Sequence, residues 1–426
     1  MAWEINGLST TDIKKIQEHF NLKYNPMVTS LMQQDMYKFS MCQVFLHQYA
    51  SATSIWDFKA RNIGQGKLDK FTKEDVEEIR KQITAYCALR FDKEELEWLT
   101  SKYHWIHYDY ADFLSDWKPR FNDFIISENE ETGIEIHFTG RHHRNSYYEI
   151  PVLFICTEVY YRNHYNYEKL LEDFKTETLK KIQDIKSGKY DIGLFSEFGL
   201  RRRLSYEAQD WLIETLVKEK VPGFVGTSNV YLAKKFGISA IGTMAHEVFL
   251  LIGQGYQYHN PAYSNWYVLN SWVKEYGTEN GIALTDTIGT DVFLKDFQKT
   301  FSTLFKGVRH DSGCPYAWGD KIIEHYKKLG IDPKTKTLLF SDSLNFETAT
   351  EINKYFKDRT NVAFGIGTYL SGPQTVQALN VVCKPVIINE LDVAKLSDAS
   401  GKNMSRNIEA INRLKSEIAW REKTGK

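Results

Sequence analysis

From about Asp191 the sequence repeats one pattern: a short apolar run closes on small or polar residues, usually followed by an amphipathic helical stretch. The runs are IGLFSEFG, PGFVGTSN, ISAIGTMAHE, GIALTDTIG, FKGVRHDSG, KTLLFSDSLN and NVAFGIGT. Between them lie patterns such as LSYEAQDWLIETLVKEK, DVFLKDFQKTF, AWGDKIIEHYKKLG and FETATEINKYFKDR. Strands that alternate with helices pair in parallel, and so many units in series point to an irregular (β/α) barrel rather than an open sheet. The fold class read from the sequence is therefore α/β. Up to about Ile150, charged helical stretches such as FTKEDVEEIRKQI mix with strand-like runs such as GIEIHFTG. The expected organisation is a mixed α+β N-terminal domain over 1–150 and a barrel domain over 151–385, opening on the apolar run PVLFI. A C-terminal segment, 386–426, is expected to pack back on the N-terminal domain.

Charge narrows the choice of partners. The 54 basic and 55 acidic residues nearly cancel, so no global field draws in nucleic acid or an anionic membrane, and an anionic substrate must be held by a local cluster. No run of about 18 apolar residues is present, and the N-terminus lacks the apolar core of a signal peptide. Five scattered cysteines without a CxxC pair fit a reducing compartment. The expected location is cytoplasmic.

In a barrel of this kind the chemistry sits where the strands end. Those ends supply Glu197, Ser228, His246, Asp286, Arg309, His310, Asp311 and Asp342, then the Gly365–Thr368 turn. Any one polar residue there is also an ordinary helix cap, but both charge signs gathered at one rim are harder to explain that way. In VRHDSG, alternation along a strand lets Arg309 and Asp311 share a side, a cation for a carboxylate or phosphate beside an acceptor for ribose hydroxyls. A structural ion pair fits the same residues. His246 of GTMAHE, with Glu247 beside it, can be a base, a ligand or a nucleophile once a neighbour fixes its tautomer, and Asp286 is the candidate for that. A satisfied, partly buried histidine is the plainer reading. Glycines in GIGT would let backbone N–H groups approach an anion, or simply allow a positive φ. Arg201–Arg203 could bind phosphate or salt-bridge at a helix start. LMQQDMYKFSM reads, by spacing alone, as a core helix.

Taken together, DMYKFSM, EFGLRRR, GTSNVYLAKKFGISAIGTMAHE, GIALTDTIGTDVFL, VRHDSG, LLFSDSLN, FGIGT and VAKLSD resemble nicotinate phosphoribosyltransferases, in family order from about residue 31 to 398. That resemblance implies transfer of a 5-phosphoribosyl group from phosphoribosyl pyrophosphate to nicotinate, with ATP hydrolysis coupled through a phosphohistidine. It places the phosphohistidine at His246, oriented by Asp286, with Glu247 adjacent, and implies Mg²⁺ as cofactor. It places the pyridine ring between Phe198 and Tyr37, the latter reaching in from the partner of a homodimer that shares its active sites. Arg201 and Ser228 are also placed at the substrate, Arg309 at the nicotinate carboxylate or ribose region, and Asp311 at the ribose. Arg61, Asp342, Gly365, Gly367, Thr368, Lys384 and Lys395 are implied around the phosphates. Ser228 favours nicotinate over nicotinamide, because a hydroxyl donates to a carboxylate where relatives that use the amide resemble an aspartate at that place.

The sequence departs from the family pattern at Leu200, Ser343 and Asn345, and most pointedly at Cys314, where RHDSGD would have an aspartate. Two readings of other classes stand beside the resemblance. His246, Asp286, His310 and Asp311 could serve a metal-dependent barrel hydrolase, although no HxH or HExxH spacing is present. A catalytically dead binding scaffold is the other, with Cys314 as its hint.

Overall fold

The computed structural model describes residues 2–3, 13–64, 68–399 and 403–425. The elements that position the site are, in chain order, helix α1 (Met36–Tyr49), strand β1 (Thr53–Ala60), α2 (Tyr108–Asp116), β2 (Phe124–Ser127), β3 (Glu135–Arg141), α3 (Glu149–His164), β4 (Leu194–Glu197), α4 (Tyr206–Lys218), β5 (Phe224–Thr227), α5 (Val230–Phe236) and β6 (Ser239–Ala240). They continue with α6 (Ser264–Tyr276), β7 (Ile282–Leu284), β8 (Gly307–His310), α7 (Pro315–Lys328), β9 (Thr337–Phe340), α8 (Phe346–Phe356), β10 (Asn361–Ile366), β11 (Val381–Ile388), β12 (Leu391–Asp392) and α9 (Ile408–Thr424).

The seven apolar runs are the seven strands of one parallel sheet, ordered β6-β5-β4-β10-β9-β8-β7. The sheet curls into an incomplete barrel in which the edge strands β6 and β7 do not pair. The Thr243 hydroxyl, just past β6, donates to the Ile282 carbonyl of β7 at 2.6 Å and spans that gap. The amphipathic patterns between runs form α4, α7 and α8, each burying its apolar face: Leu212, Ile213 and Leu216 on α4, Ile322, Ile323 and Tyr326 on α7, Ile352 and Phe356 on α8. DVFLKDFQKTF is two short helices, Thr290–Asp296 and Lys299–Leu304, rather than one.

A second, antiparallel sheet runs β12-β11-β1-β3-β2. Its central pairing joins chain regions far apart in sequence: β11, which follows the last barrel strand, lies against β1, with Lys384 opposite Asp57 and Val381 opposite Ala60. The apolar stretch at Pro151 is the interior of α3, a helix buried from Glu149 to Tyr161 that packs against β11. Helix, returning strand and barrel are thus parts of one continuous core.

Candidate active site

A cavity of about 750 Å³ opens where the barrel strands end and the antiparallel sheet covers them. Phe198, Ser228, Asp311, Ser341 and Gly367 on its wall each follow a barrel strand at once, and Asp342 comes one residue later. The opposite wall carries Trp56 and Arg61 at β1, with Lys384 and Pro385 from β11. Every residue that the family resemblance assigned to the site lines this cavity except Asp286, which stands behind His246; Glu197 and His310, also read at the strand ends, do not line it. His310 is buried beneath the rim, where it contacts the Gly313 carbonyl at 3.2 Å.

Tyr37 requires a correction. It lines the cavity of its own chain and does not need a partner to supply it. The cause is a run of backbone hydrogen bonds that lays the segment before α1 along the end of β5: Met36 N–H to Ser228 O at 2.9 Å, Val230 N–H to Gln34 O at 3.0 Å and Tyr231 N–H to Met32 O at 2.9 Å. Burial raises the Tyr37 phenol well above its ordinary pKa, so it is a neutral donor. Neither its hydroxyl, nor the Ser228 hydroxyl, nor the Arg309 Nε has a hydrogen-bond partner among the described residues. Three polar groups left in this state on one wall call for a ligand, because an unmet buried donor costs about 1–3 kcal/mol.

His246 Nε2 lies 2.8 Å from Asp286 Oδ1. The other oxygen of Asp286 accepts from the Ser312 hydroxyl at 2.7 Å and faces Lys395 Nζ at 3.1 Å. Burial and the Lys395 ammonium hold the imidazole down to about 4, so it is neutral near pH 7 despite its carboxylate partner. His246, Asp286 and Asp311 bring possible metal-ligand atoms within 4.8 Å of one another. Lys395 occupies that neighbourhood with a positive charge, which opposes a divalent ion there and weakens the hydrolase reading.

Glu247, expected to act beside His246, has both oxygens engaged: one with Lys38 Nζ at 2.6 Å, the other with His142 Nε2 at 2.9 Å. Burial notwithstanding, Lys38 and His142 hold this carboxyl down to about 2. Lys38 also reaches Glu149 at 2.7 Å, so the buried cluster ties α1 to the barrel rim and fixes Tyr37 next door. The sequence reading had no role for Lys38. Its signal was a lysine inside the otherwise apolar helix MYKFSMCQVFL.

The three arginines of EFGLRRR have separate fates. Arg201 extends into the cavity, with its Nε 3.6 Å from Asp35, while Arg202 lines the wall and donates to the Val381 carbonyl at 3.1 Å. Arg203 is fully buried over Phe154 and donates to the Met27 carbonyl at 3.0 Å. Arg202, Arg61, Lys384 and Lys395 form a cationic wall, completed by the Gly365–Thr368 turn. Burial, then the charges of Lys395 and Arg61, push Lys384 down to about 8. Such mutual repulsion favours a polyanion in their midst.

Gly365 has a different reason from the one expected. A Cβ there would come within 2.3 Å of the Phe198 ring, so this glycine makes room for the aromatic rather than supplying a positive φ. Cys314 is exposed at the N-cap of α7, off the cavity wall, and makes no capping hydrogen bond.

Comparison with known proteins agrees with this layout. Residues 194–421 match the model of the nicotinate phosphoribosyltransferase (NAPRTase) family, and residues 32–157 match its N-terminal domain. The chain is 39% identical over 392 residues to the nicotinate phosphoribosyltransferase of Acinetobacter baylyi, covering 91% of this chain and 95% of the relative. It is 41% identical over 389 residues to that of Neisseria meningitidis serogroup B, covering 89% and 94%. Among solved structures it resembles the nicotinate phosphoribosyltransferase of Vibrio cholerae, with a TM-score of 0.85, 28% identity and coverage of 94% and 96%. That of Porphyromonas gingivalis gives a TM-score of 0.82 at 30% identity, covering 91% and 99%.

Proposed function

The chain belongs to the nicotinate phosphoribosyltransferase family, and on that premise we propose that its cavity joins nicotinate to the 5-phosphoribosyl group of phosphoribosyl pyrophosphate. The products are nicotinate mononucleotide and pyrophosphate, the first step of NAD salvage from nicotinate, and ATP hydrolysis is coupled through a transient phosphate on His246. The observation that carries this reading is the division of one cavity into a wall with unmet donors at Tyr37, Ser228 and Arg309 and a wall of clustered cations.

The pyridine ring would lie against Phe198 and Tyr37, its carboxylate taking hydrogen bonds from Ser228 and Arg309. Asp311 accepts from ribose hydroxyls. Arg61, Arg202, Lys384 and Lys395, with the Gly365–Thr368 turn, hold the phosphates. As the bond from ribose to pyrophosphate breaks, negative charge grows on the leaving oxygen, and these fixed cations stabilise it where charge develops. Mg²⁺ suits the site, since it binds through one or two carboxylates and substrate phosphates, and Asp342 stands on the wall to hold it. When bound it would neutralise the pyrophosphate.

In the ATP-linked step the His246 lone pair attacks the γ-phosphorus. The N–P bond forms as the bond to the ADP oxygen breaks, and Asp286 stabilises the ring's positive charge. Water later takes the phosphoryl group and releases phosphate. Glu247, saturated by Lys38 and His142, positions His246 rather than exchanging protons. A homodimer in the cytoplasm is the proposed assembly and location, with each protomer carrying its own Tyr37. No helix among the described residues is long and apolar enough to cross a membrane.

The test is incubation of purified protein with nicotinate, phosphoribosyl pyrophosphate, Mg²⁺ and ATP, with mononucleotide followed by chromatography. Parallel samples replace nicotinate by nicotinamide or omit ATP. Product from nicotinate, enhanced by ATP and absent with the amide, is expected. No product from either base with folded protein would sink the reading.

A further inference from the structure

We propose that His47, His107 and Glu275 form a second site, outside the cavity, for a divalent cation of the zinc class. None of the three lines the active-site cavity. They come from separate elements: His47 from the last turn of α1, His107 from the residue before α2, and Glu275 from the last turn of α6. The site therefore lies on the seam between the N-terminal region and a barrel-side helix.

The geometry is close to that of a two-histidine, one-carboxylate zinc site. Glu275 Oε1 is 2.6 Å from His47 Nδ1 and 3.7 Å from His107 Nδ1, and the three ligand atoms lie within 4.8 Å of one another. Bonds of about 2.0–2.1 Å in a tetrahedron set neighbouring ligand atoms about 3.3 Å apart. The His47–Glu275 distance must open by several tenths of an ångström, the His107–Glu275 distance close by a few tenths, and the two imidazole nitrogens settle from within 4.8 Å to the same spacing, which is within side-chain reach. The ion takes the place of the proton shared by His47 and Glu275, and that proton leaves to solvent.

A simple ion pair accounts for His47 and Glu275 but not for the second imidazole, whose ring faces the first at 5.6 Å with 16° between planes. Nor does it account for the outer partners. Asp109 Oδ2 lies 3.5 Å from His47 Nε2, on the far side of the ring, where a small movement of this exposed side chain would complete a carboxylate–histidine–metal relay. Gln48 donates to the other oxygen of Glu275 at 3.1 Å. The Glu275 side chain is 5% exposed and that of His107 46%, so the carboxylate is desolvated while the open side can admit a water as fourth ligand. Gln48 also donates to the Ser271 carbonyl at 3.0 Å and the Tyr49 and Ser271 hydroxyls meet at 2.7 Å, so the seam is ordered before any ion arrives. Held there, the ion would clip to α6 the helix that presents Tyr37 and Lys38 at its other end.

The experiment titrates Zn²⁺ into full-length, chelator-dialysed protein by calorimetry, with thermal unfolding in parallel and Co²⁺ absorption as a probe of tetrahedral geometry. One Zn²⁺ per chain should bind and raise the unfolding temperature. His107→Ala should weaken binding tenfold or more while leaving the metal-free unfolding temperature unchanged, and Asp109→Asn should weaken it about tenfold. His246→Ala should bind as the parent does. Absence of binding at micromolar Zn²⁺, or undiminished binding by His107→Ala, overturns the proposal. So does loss of binding on His246→Ala alone, which would place the ion in the cavity.

Discussion

Asp286 engages His246 through Nε2, at 2.8 Å, and so leaves the ring's lone pair on Nδ1. A hydrogen bond to one nitrogen fixes what the other can do. The expected site of phosphorylation is Nδ1, to be read as an acid-labile phosphate in the phosphorus NMR spectrum of protein treated with ATP and Mg²⁺. Asp286→Ala should slow that labelling by roughly 100-fold or more, since it removes both the tautomer lock and the countercharge. The pH dependence has a definite sign. A histidine held down to about 4 carries no second proton near neutral pH and keeps Nδ1 free, so labelling should stay level from pH 8 to pH 6 and fall only on further acidification. A loss centred near 6.5 would show that the ring titrates as an unperturbed imidazole.

Ser228 sets the choice between acid and amide. Its hydroxyl is buried, unpartnered among the described residues, and held at the cavity by a backbone bond from Ser228 N–H to Glu197 O at 2.8 Å. A charge-assisted hydrogen bond to nicotinate is worth about 1.5–3 kcal/mol, or roughly 10- to 150-fold. Ser228→Ala should lower kcat/KM for nicotinate by that factor, and Ser228→Asp by more, because a carboxylate repels the substrate's own. Unchanged efficiency of Ser228→Asp on nicotinate would remove the assignment.

Lys384 gives the phosphate wall its pH limit. Free, it is pushed down to about 8 by burial and by Lys395 and Arg61. A polyanion binds the charged form, so its affinity falls as pH rises through about 8, and binding above that pH takes up a proton. The KM for phosphoribosyl pyrophosphate should therefore climb between pH 8 and 9, and Lys384→Met should raise it at pH 7 while flattening the climb. A wild-type KM that stays level to pH 9 would contradict this.

The barrel strands were legible because each apolar run ends in residues that cannot continue a buried strand, such as Ser228 after FVGT and Asp342 after LLFS. The rim residues followed from where those runs stop. The reason for each residue was less legible. Gly365 reads alike whether it admits a phosphate or, as found, the Phe198 ring 2.3 Å from its missing Cβ. Arg201, Arg202 and Arg203 are indistinguishable in sequence, and only the turn at Leu200–Arg202 sends the first into the cavity and the third into the core. Tyr37 and Lys38 depend on contacts with Ser228 and Glu247, about 190 and 209 residues away, and local pattern carries no such information.

Cys314 affects stability before catalysis. It holds the N-cap position of α7, ahead of Pro315, without accepting a hydrogen bond. An aspartate there can accept from the free N–H groups of the first turn and favours the helix dipole. Cys314→Asp should stabilise the fold by about 1 kcal/mol, measured by denaturant unfolding, and change kcat less than twofold. A large gain in kcat instead would return this position to the reaction.

Glu197 joins the substrate-facing parts of the rim. It is fully buried at the end of β4, and one oxygen accepts from Gly199 N–H at 2.6 Å and from the Ser371 hydroxyl. The other accepts from the Thr227 hydroxyl at 2.6 Å and from Gln209 at 3.1 Å. The first pair fixes the turn carrying Phe198 and the helix after Thr368; the second fixes the strand end carrying Ser228. A carboxylate suits this place because it only accepts. Glu197→Gln has nearly the same shape but turns an NH₂ group toward one pair of donors, leaving about 1–3 kcal/mol of unmet hydrogen bonding at each. Because the pyridine and phosphate subsites hang from the same group, KM should rise for nicotinate and for phosphoribosyl pyrophosphate together, with a lower unfolding temperature and a folded circular dichroism spectrum. Glu197→Gln with a raised KM for one substrate alone would show that the two subsites are held independently.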